Sequence, residues 1–481
     1  MKDRELLQEL QKYAETDYYP FHMPGHKRNL LDFPNPYSID ITEIEGFDNL
    51  HCPEGILKDC MDHASRVYQS GETRFLVNGS TCGILSAVCG LTDRGGRILM
   101  SRNCHRSSYH GVFLNGLQIE YLYPQIVSKF GIQGGILPED VDKSLKKYPD
   151  IQAILIVSPT YEGIVSDIAE IARIAHGAGV PLIVDEAHGA HFPFARQGGF
   201  PVSALELGAD VVIQSLHKTL PSFTQTAVIH MRKGFQGTEK IEKYLSVFQT
   251  SSPSYLFMAS MDRCIRMMDA DQGERLKKLA DAVREVRRLS ETFSCLNILP
   301  LDLHGVSGIY DIDPSKLVIS LKGTGLSGKW LSDRLRRGYH LEMEMSGLDY
   351  VLAMTSPFDR EEGFWRLKKA LSEIDKEIET MVSRRRQDDR GVEHLQGMRR
   401  EAPLSIYEAW NAKTEQVALK ESEGKVSSEF VYIYPPGIPA IAPGEKITGE
   451  IIELIEKYKD QGLAVQGTSD GTAEKILIVR N

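Results

Sequence analysis

The chain has 481 residues, ordinary apolar content and a formal net charge of -10, which allow a large core and argue against general nucleic-acid binding. Its seven cysteines are scattered and odd in number, so neither a disulfide framework nor a metal site is expected. The polar start at Met1 predicts no signal peptide, and no apolar run is long enough for a membrane span, so we expect a cytoplasmic protein.

The first half of the chain alternates between helical patterns and short apolar runs. A short amphipathic helix is predicted over residues 3–15, and an extended arm rich in Pro, Gly and Asn over residues 20–55. From Thr73 onward the alternation is typical of a mostly parallel sheet that is covered on both faces. The seven predicted strands contain Phe75–Val77, Ile98–Met100, Ile119–Leu122, Ile154–Val157, Leu182–Val184, Val211–Ile213 and Ala227–Ile229.

The second half predicts two smaller units. A long charged helix over residues 270–293 leaves the sheet domain, and Leu317–Leu321 and Tyr350–Met354 indicate strands of a smaller α+β domain. The charged run Ser383–Arg390 predicts a linker, and the last segment, from about Pro403, contains the run Phe430–Tyr434 followed by several Pro and Gly residues. The predicted units are an N-terminal helix and arm (1–55), a large domain (56–295), a small α+β domain (296–385), a linker (386–402) and a C-terminal domain (403–481).

A candidate anion site follows the first predicted strand. Phe75–Val77 leads into Asn78, Gly79, Ser80 and Thr81, after which a helical pattern begins. A turn of small residues at a helix start presents free N–H groups and the positive end of the helix dipole to a phosphate. The alternative is an ordinary N-cap, which Ser and Thr favour in any case.

Two further polar residues follow predicted strands. In a parallel sheet, ligands bind at the carboxyl ends of the strands. His105 comes after Ile98–Met100 and could lie flat on an aromatic cofactor, unless it is a surface loop histidine. Thr160 comes after Ile154–Val157 and could contact a cofactor ring oxygen or the substrate, unless it belongs to a turn built by Pro159 and Gly163.

Asp185 and Lys218 give the strongest chemical signal. Asp185 closes the apolar run Leu182–Val184, and a carboxylate there is costly unless it is paired. Lys218 follows Val211–Ile213. A lysine can form a Schiff base with the aldehyde of pyridoxal phosphate (PLP), and an aspartate can keep its ring nitrogen protonated, which makes the ring an electron sink. The alternatives are a salt bridge between Asp185 and a structural arginine, and a surface position for Lys218.

Three neighbours complete the predicted cofactor site. His188 lies close enough to Asp185 in sequence to contact the ring or the substrate carboxylate. Ser215 and His217 flank the lysine and could contact the phosphate. The candidate catalytic residues are Lys218, Asp185, His105 and His188. The candidate cofactor-binding residues are Gly79, Ser80, Thr81, His105, Thr160, Asp185, His188, Ser215, His217 and Lys218.

These residues lie within longer motifs by which the chain resembles the Orn/Lys/Arg decarboxylase family of fold type I PLP enzymes, in the short form of Gram-positive bacteria. The motifs are Phe21–Lys27, Asp40–Ile44 with Asp48–His51, Val184–Gly189, Ser215–Lys218, Tyr434–Pro439 and Pro443–Glu445. The first and the last two are specific, since other fold type I enzymes share the Asp and the Lys but not these.

The resemblance implies an α/β, aminotransferase-like fold with a large, mostly parallel seven-stranded sheet, a smaller α+β domain and a C-terminal decarboxylase segment. It also implies Lys218 as the Schiff-base lysine, Asp185 as the partner of the ring nitrogen, His105 as the stacking residue, and Ser80 and Thr81 as phosphate ligands. Long family members carry an amino-terminal wing domain that supports decamers, and this chain has no room for one, so a homodimer is expected. Pro221 departs from the glycine-containing loops of relatives and alters the expected loop after the lysine.

The implied reaction is decarboxylation of a basic L-amino acid. Arginine, giving agmatine and CO2 for polyamine biosynthesis, is the first expectation, and lysine and ornithine are the alternatives. A cationic tail needs carboxylates at the far end of the pocket. The candidates are Glu43, Glu45 and Asp48 in the arm, which could reach across a dimer interface, and Glu445; each could instead be an exposed loop acid.

Other activities remain open on the sequence alone. An aminotransferase or a carbon–sulfur lyase would share the fold. A non-catalytic PLP-fold regulator of DNA is disfavoured, because the chain is acidic and shows no helix-turn-helix segment before the arm. The role of residues 22–27 is not indicated by the pattern.

Overall fold

In the computed structural model, the described residues are 5–29, 33–195, 198–382, 398–434 and 437–480. The amino-terminal segment contains helix α1 (Leu6–Ala14), as predicted, and strand β1 (Tyr19–Phe21). Between β1 and residue 55, the described part of the arm contains one 3-10 turn (Pro36–Ser38) and is otherwise irregular, as expected from its Pro and Gly content.

The large domain alternates strands and helices, as the sequence predicts. Its elements are α2 (Ile56–Tyr68), β2 (Glu72–Leu76), α3 (Gly79–Leu91), β3 (Arg97–Ser101), α4 (Arg106–Asn115), β4 (Gln118–Leu122), β5 (Ile126–Val127), β6 (Ile132–Gln133), α5 (Pro138–Lys147), β7 (Ile151–Val157), β8 (Ile164–Val165), α6 (Ile168–Gly177), β9 (Leu182–Asp185), β10 (Val211–Gln214), α7 (Leu216–Thr219), β11 (Ala227–Met231), α8 (Thr238–Phe248), α9 (Tyr255–Ala270) and α10 (Glu274–Ser290).

Seven of these strands form one sheet in the order β2-β11-β10-β9-β7-β3-β4, and each corresponds to a predicted strand. β11 runs antiparallel to the other six strands of this sheet, which are parallel to one another. The central strand β9 is fully buried at Leu182, Ile183 and Val184, because helices cover both faces of the sheet. Asp185 ends this strand, opposite Ile213 of β10 and Val157 of β7.

The small domain follows α10. Its elements are β12 (Asn297–Ile298), β13 (Asp311–Ile312), β14 (Lys316–Ser320), α11 (Gly328–Tyr339), β15 (Leu341–Met343), β16 (Met345–Ser346), β17 (Tyr350–Met354) and α12 (Glu361–Val382). The two predicted strands are β14 and β17, which pair at the centre of the antiparallel sheet β12-β14-β17-β16. Two pairings that the sequence did not indicate tie this domain to other parts: β1 with β15, and β13 with β8.

The last segment forms its own apolar core. Its elements are α13 (Ile406–Asn411), β18 (Thr414–Ala418), β19 (Val431–Tyr434), β20 (Ile438–Ile441), α14 (Gly449–Asp460), β21 (Ala464–Gln466) and β22 (Lys475–Val479). β19 lies in the run Phe430–Tyr434. Most of the predicted linker lies outside the described residues, and the domain boundaries stay predictions. No helix in the described part of the chain combines enough length and apolarity to cross a bilayer.

Candidate active site

A cavity of about 440 Å³ lies at the carboxyl ends of the central strands. Asp185 ends β9, and Lys218 lies in the short helix α7 that follows β10. Because β9 and β10 are parallel neighbours, their carboxyl ends meet at one edge of the sheet and both side chains line the cavity. Cavities of this size commonly bind cofactors and small substrates.

Asp185 has few protein partners for a buried acid. It is only 4% exposed, and its Oδ1 accepts a hydrogen bond from the Ala187 N–H at 3.1 Å. Burial raises the pKa of Asp185, while the charge of Lys218 opposes that rise. The expected alternative, a salt bridge with an arginine, is not found among the described residues. The carboxylate therefore suits a cationic group that enters the cavity, such as a protonated ring nitrogen.

The Lys218 amine lies deep in the same cavity. Its Nζ is 2.9 Å from Nε2 of His188. Burial lowers the pKa of Lys218, with Asp185 and Glu344 opposing and Lys316 adding to the effect. Burial and the charge of Lys218 also hold the pKa of His188 well below 6.5, so the imidazole is neutral. A lysine with a lowered pKa is a competent nucleophile for an aldehyde.

The candidate anion turn is present at the start of α3. Gly79 has a φ of +74°, and Asn78 provides no side-chain cap, so the first N–H groups of the helix are open to a ligand. The Ser80 hydroxyl lies 2.6 Å from that of Ser215. Gly79, Ser80, Thr81, Ser215 and His217 all line the cavity, which is the arrangement expected of a phosphate cradle.

His105 and Thr160 also line the cavity. His105 is the N-cap of α4, and its Nδ1 accepts from the backbone N–H of Ser107. Burial, followed by the charge of Lys218, lowers the pKa of His105 to about 3, so a neutral ring faces the cavity. The Thr160 hydroxyl accepts from the Ile164 N–H at 3.2 Å, so this residue builds the turn and lines the cavity at once.

The four acids predicted to bind the substrate tail do not line this cavity. The Asp48 carboxylate accepts backbone N–H groups at the start of α2, including that of Gly55 at 2.8 Å, and thus serves that helix. Glu43 and Glu45 lie in the irregular arm. Glu445 is buried in an ion pair with Arg102 at 3.0 Å, because the C-terminal segment folds against the large domain there.

Glu344 is the cavity residue that the sequence analysis missed most clearly. It lies between β15 and β16, and its carboxylate accepts from the Met23 N–H at 2.8 Å and from the Tyr161 hydroxyl. Asp185 and Glu344 are the two carboxylates among the described residues that line the cavity. Residues 341–345 alternate between apolar and acidic residues, which is typical of a strand. This local pattern does not indicate a site, because Glu344 reaches the cavity through the tertiary pairing of β1 with β15.

The arm also reaches the site. Met23 lines the cavity, and the Gly25 N–H donates to the carbonyl of His217 at 2.7 Å. A Cβ at Gly25 would lie 2.6 Å from the backbone nitrogen of Leu220, so only glycine fits this close approach. Residues 22–27, whose role the sequence left open, therefore pack directly against the helix that carries Lys218.

Comparisons with known proteins identify the family of this chain. Residues 5–358 match the family described as Orn/Lys/Arg decarboxylase, major domain, and residues 388–467 match its C-terminal domain. The arginine decarboxylase of Bacillus subtilis (strain 168) is 35% identical over 488 residues, covering 98% of this chain and 96% of the relative. The match thus extends over both chains almost completely.

Solved structures show the same fold. The Francisella novicida lysine decarboxylase LdcF superimposes with a TM-score of 0.77 at 20% identity, covering 98% of this chain and 80% of that one. Serine palmitoyltransferase from Sphingomonas wittichii gives a TM-score of 0.53 at 16% identity, covering 67% of this chain and 77% of that one. These likenesses confirm the predicted fold type I architecture, and the sequence matches show that the chain belongs to the Orn/Lys/Arg decarboxylase family.

Proposed function

We propose that this protein decarboxylates arginine with PLP as its cofactor. Family membership already assigns decarboxylation of a basic amino acid and favours it over the aminotransferase and lyase alternatives. The single observation that carries the choice of PLP as cofactor is the convergence of Asp185, Lys218 and the turn at Gly79–Thr81 on one cavity. A buried acid, a half-buried lysine and an open helix N-terminus match the ring nitrogen, aldehyde and phosphate of PLP.

When bound, PLP supplies an electron sink for the electron pair left at the α-carbon as CO2 departs. Lys218 would hold the cofactor through its aldehyde, Asp185 would keep its ring nitrogen protonated, and His105 would contact its ring. The cavity wall would orient the substrate α-carboxylate, so the protein contributes orientation and electrostatics.

Glu344 is the proposed partner of the substrate's cationic tail. It replaces the four acids expected from the sequence, because it lines the cavity and they do not. The Met23 N–H and the Tyr161 hydroxyl fix the orientation of its carboxylate. A carboxylate held in this way can form a charge-assisted hydrogen bond with a guanidinium or an ammonium group.

Arginine is proposed ahead of lysine and ornithine because the Bacillus subtilis relative, matched along nearly its full length, is an arginine decarboxylase. We further propose a cytoplasmic homodimer, in which Glu43 and Glu45 of the arm are available to a neighbouring subunit. Size-exclusion chromatography with light scattering tests the dimer.

Product analysis tests the function. Purified protein with PLP should release CO2 faster from arginine than from lysine or ornithine, with agmatine as the product. The Lys218→Ala variant should lose both the reaction and the visible absorption band of the lysine-bound cofactor. Faster release from lysine or ornithine would refute the arginine proposal, and an unchanged band in the variant would remove Lys218 from the mechanism.

A further inference from the structure

A cluster of fully buried charges lies behind the cavity, in the small domain. Lys316 at the start of β14 and Asp313 just before it are both 0% exposed. The Lys316 ammonium donates to Asp313 Oδ2 at 2.8 Å and to the Ser315 hydroxyl at 3.2 Å. The other oxygen of Asp313 accepts from the Ser315 N–H at 2.9 Å and lies 3.3 Å from Nε2 of the buried His191.

This cluster touches the site through two turns of the large domain. Lys316 Nζ lies 3.4 Å from the carbonyl oxygen of His188, the residue whose imidazole contacts Lys218. The Asp313 N–H donates to the carbonyl of Gly163 at 2.8 Å. A Cβ at Gly163 would lie 2.9 Å from Cγ of Lys316, so the lysine packs tightly against the turn that carries Thr160.

Stability alone does not explain a pair of this kind. Removing two charges from water costs roughly as much free energy as their attraction returns, and well-packed apolar residues often stabilise a fold equally well. A cation near a half-buried lysine nucleophile has a chemical use, because it disfavours a second positive charge and keeps the amine reactive.

The charged and titratable groups that face Lys218 come from several elements. Asp185 and Glu344 favour its charged form, Lys316 disfavours it, and the neutral imidazoles of His188 and His105 lie beside it. Lys316 thus acts on the pKa of Lys218 in the same direction as burial and against the two carboxylates; Arg106, His217 and Tyr161 also line the cavity.

We propose that Lys316 is a positioning residue for the reaction: from the small domain it supports the His188 turn and holds a positive charge against Lys218. Asp313 fixes the Lys316 ammonium in that place. The inference rests on the proposed function, in which Lys218 carries the cofactor.

The test is a pH titration of the visible absorption band of the PLP-loaded protein. Lys316→Met should raise the midpoint of the titration by about one pH unit, since a nearby positive charge no longer opposes protonation of the lysine nitrogen. Lys316→Arg keeps the charge and should keep the wild-type midpoint. An unchanged midpoint in Lys316→Met would overturn the inference, whereas a wild-type protein without any such band would overturn the proposed function.

Two further variants distinguish an effect of the Lys316 charge on the midpoint from an effect of lost stability. Asp313→Asn with Lys316→Met removes the whole pair, avoids an uncompensated buried acid, and should still raise the midpoint. Arg102→Met is the matched control: Arg102 is also a buried cation, but it pairs with Glu445 and does not line the cavity. It should lower the melting temperature without moving the midpoint, and an equal shift in this variant would show that loss of any buried cation has the effect.

Discussion

The cavity and the contact between the large domain and the C-terminal segment both contain acidic and cationic side chains, but these side chains have different partners in the two places. In the cavity, the buried Asp185 and the half-buried Lys218 face open space, and the Asp185 carboxylate accepts a backbone N–H. At the C-terminal contact, Arg102 and Glu445 are each 1% exposed and bond directly to each other. Arg102 also donates to the Tyr109 hydroxyl and to the Pro439 carbonyl at 2.9 and 2.8 Å.

The difference shows which buried charges are available for chemistry. Charges that are paired within the protein have already offset much of their desolvation cost and hold segments together. Charged groups that face a cavity have shifted pKa values and can bind a ligand, which is typical of functional sites. Sequence motifs did not separate the two, since Asp185 and Glu445 both lie in family motifs.

The largest expected effect is on stability, at the C-terminal contact. Arg102→Met removes the ion-pair partner at 3.0 Å from buried Glu445, leaving Arg400 at 3.9 Å, and should lower the free energy of unfolding by about 3 kcal/mol. Chemical denaturation followed by circular dichroism measures this. The double variant with Glu445→Gln also removes the buried acid that has lost this partner and should recover part of the loss; a double variant no more stable than Arg102→Met would contradict the ion-pair explanation.

Asp185→Asn should reduce the activity without reducing the stability. Loss of the carboxylate at the ring nitrogen should slow decarboxylation by roughly 10²–10³-fold, as for other lost electrostatic contacts in active sites. The unfolding free energy of the cofactor-free protein should not fall, because burial of Asp185 disfavours its charge. Steady-state kinetics and denaturation of the same preparation measure both quantities, and a destabilised variant with full activity would reverse the roles assigned to the two regions.

Glu344→Gln should have the smallest of the three effects. Loss of a charge-assisted contact to the substrate tail should raise KM for arginine by about 10–100-fold, while the bond to the Met23 N–H can persist through the amide oxygen. Glu45→Gln in the arm is a matched acid outside the cavity. An unchanged KM in Glu344→Gln together with a raised KM in Glu45→Gln would move the tail site to the arm.

Much of the large domain could be predicted from the sequence. Its seven strands are short apolar runs bounded by turns, and this is the pattern expected of strands that are buried in a parallel sheet. Asp185, Lys218 and the turn at Gly79 were found because the carboxyl ends of parallel strands share one edge, so chain order alone places them close together.

The tertiary structure decided everything that comes from distant parts of the chain. Glu344 reaches the cavity through the pairing of β1 with β15, and Lys316 reaches the His188 turn through packing of the small domain. Glu445 was misplaced for the same reason, since its partner Arg102 lies 343 residues away in the chain. Local patterns determine strands, turns and the groups at their ends, whereas the choice between a paired and an unpaired buried charge depends on long-range contacts that periodicity does not encode.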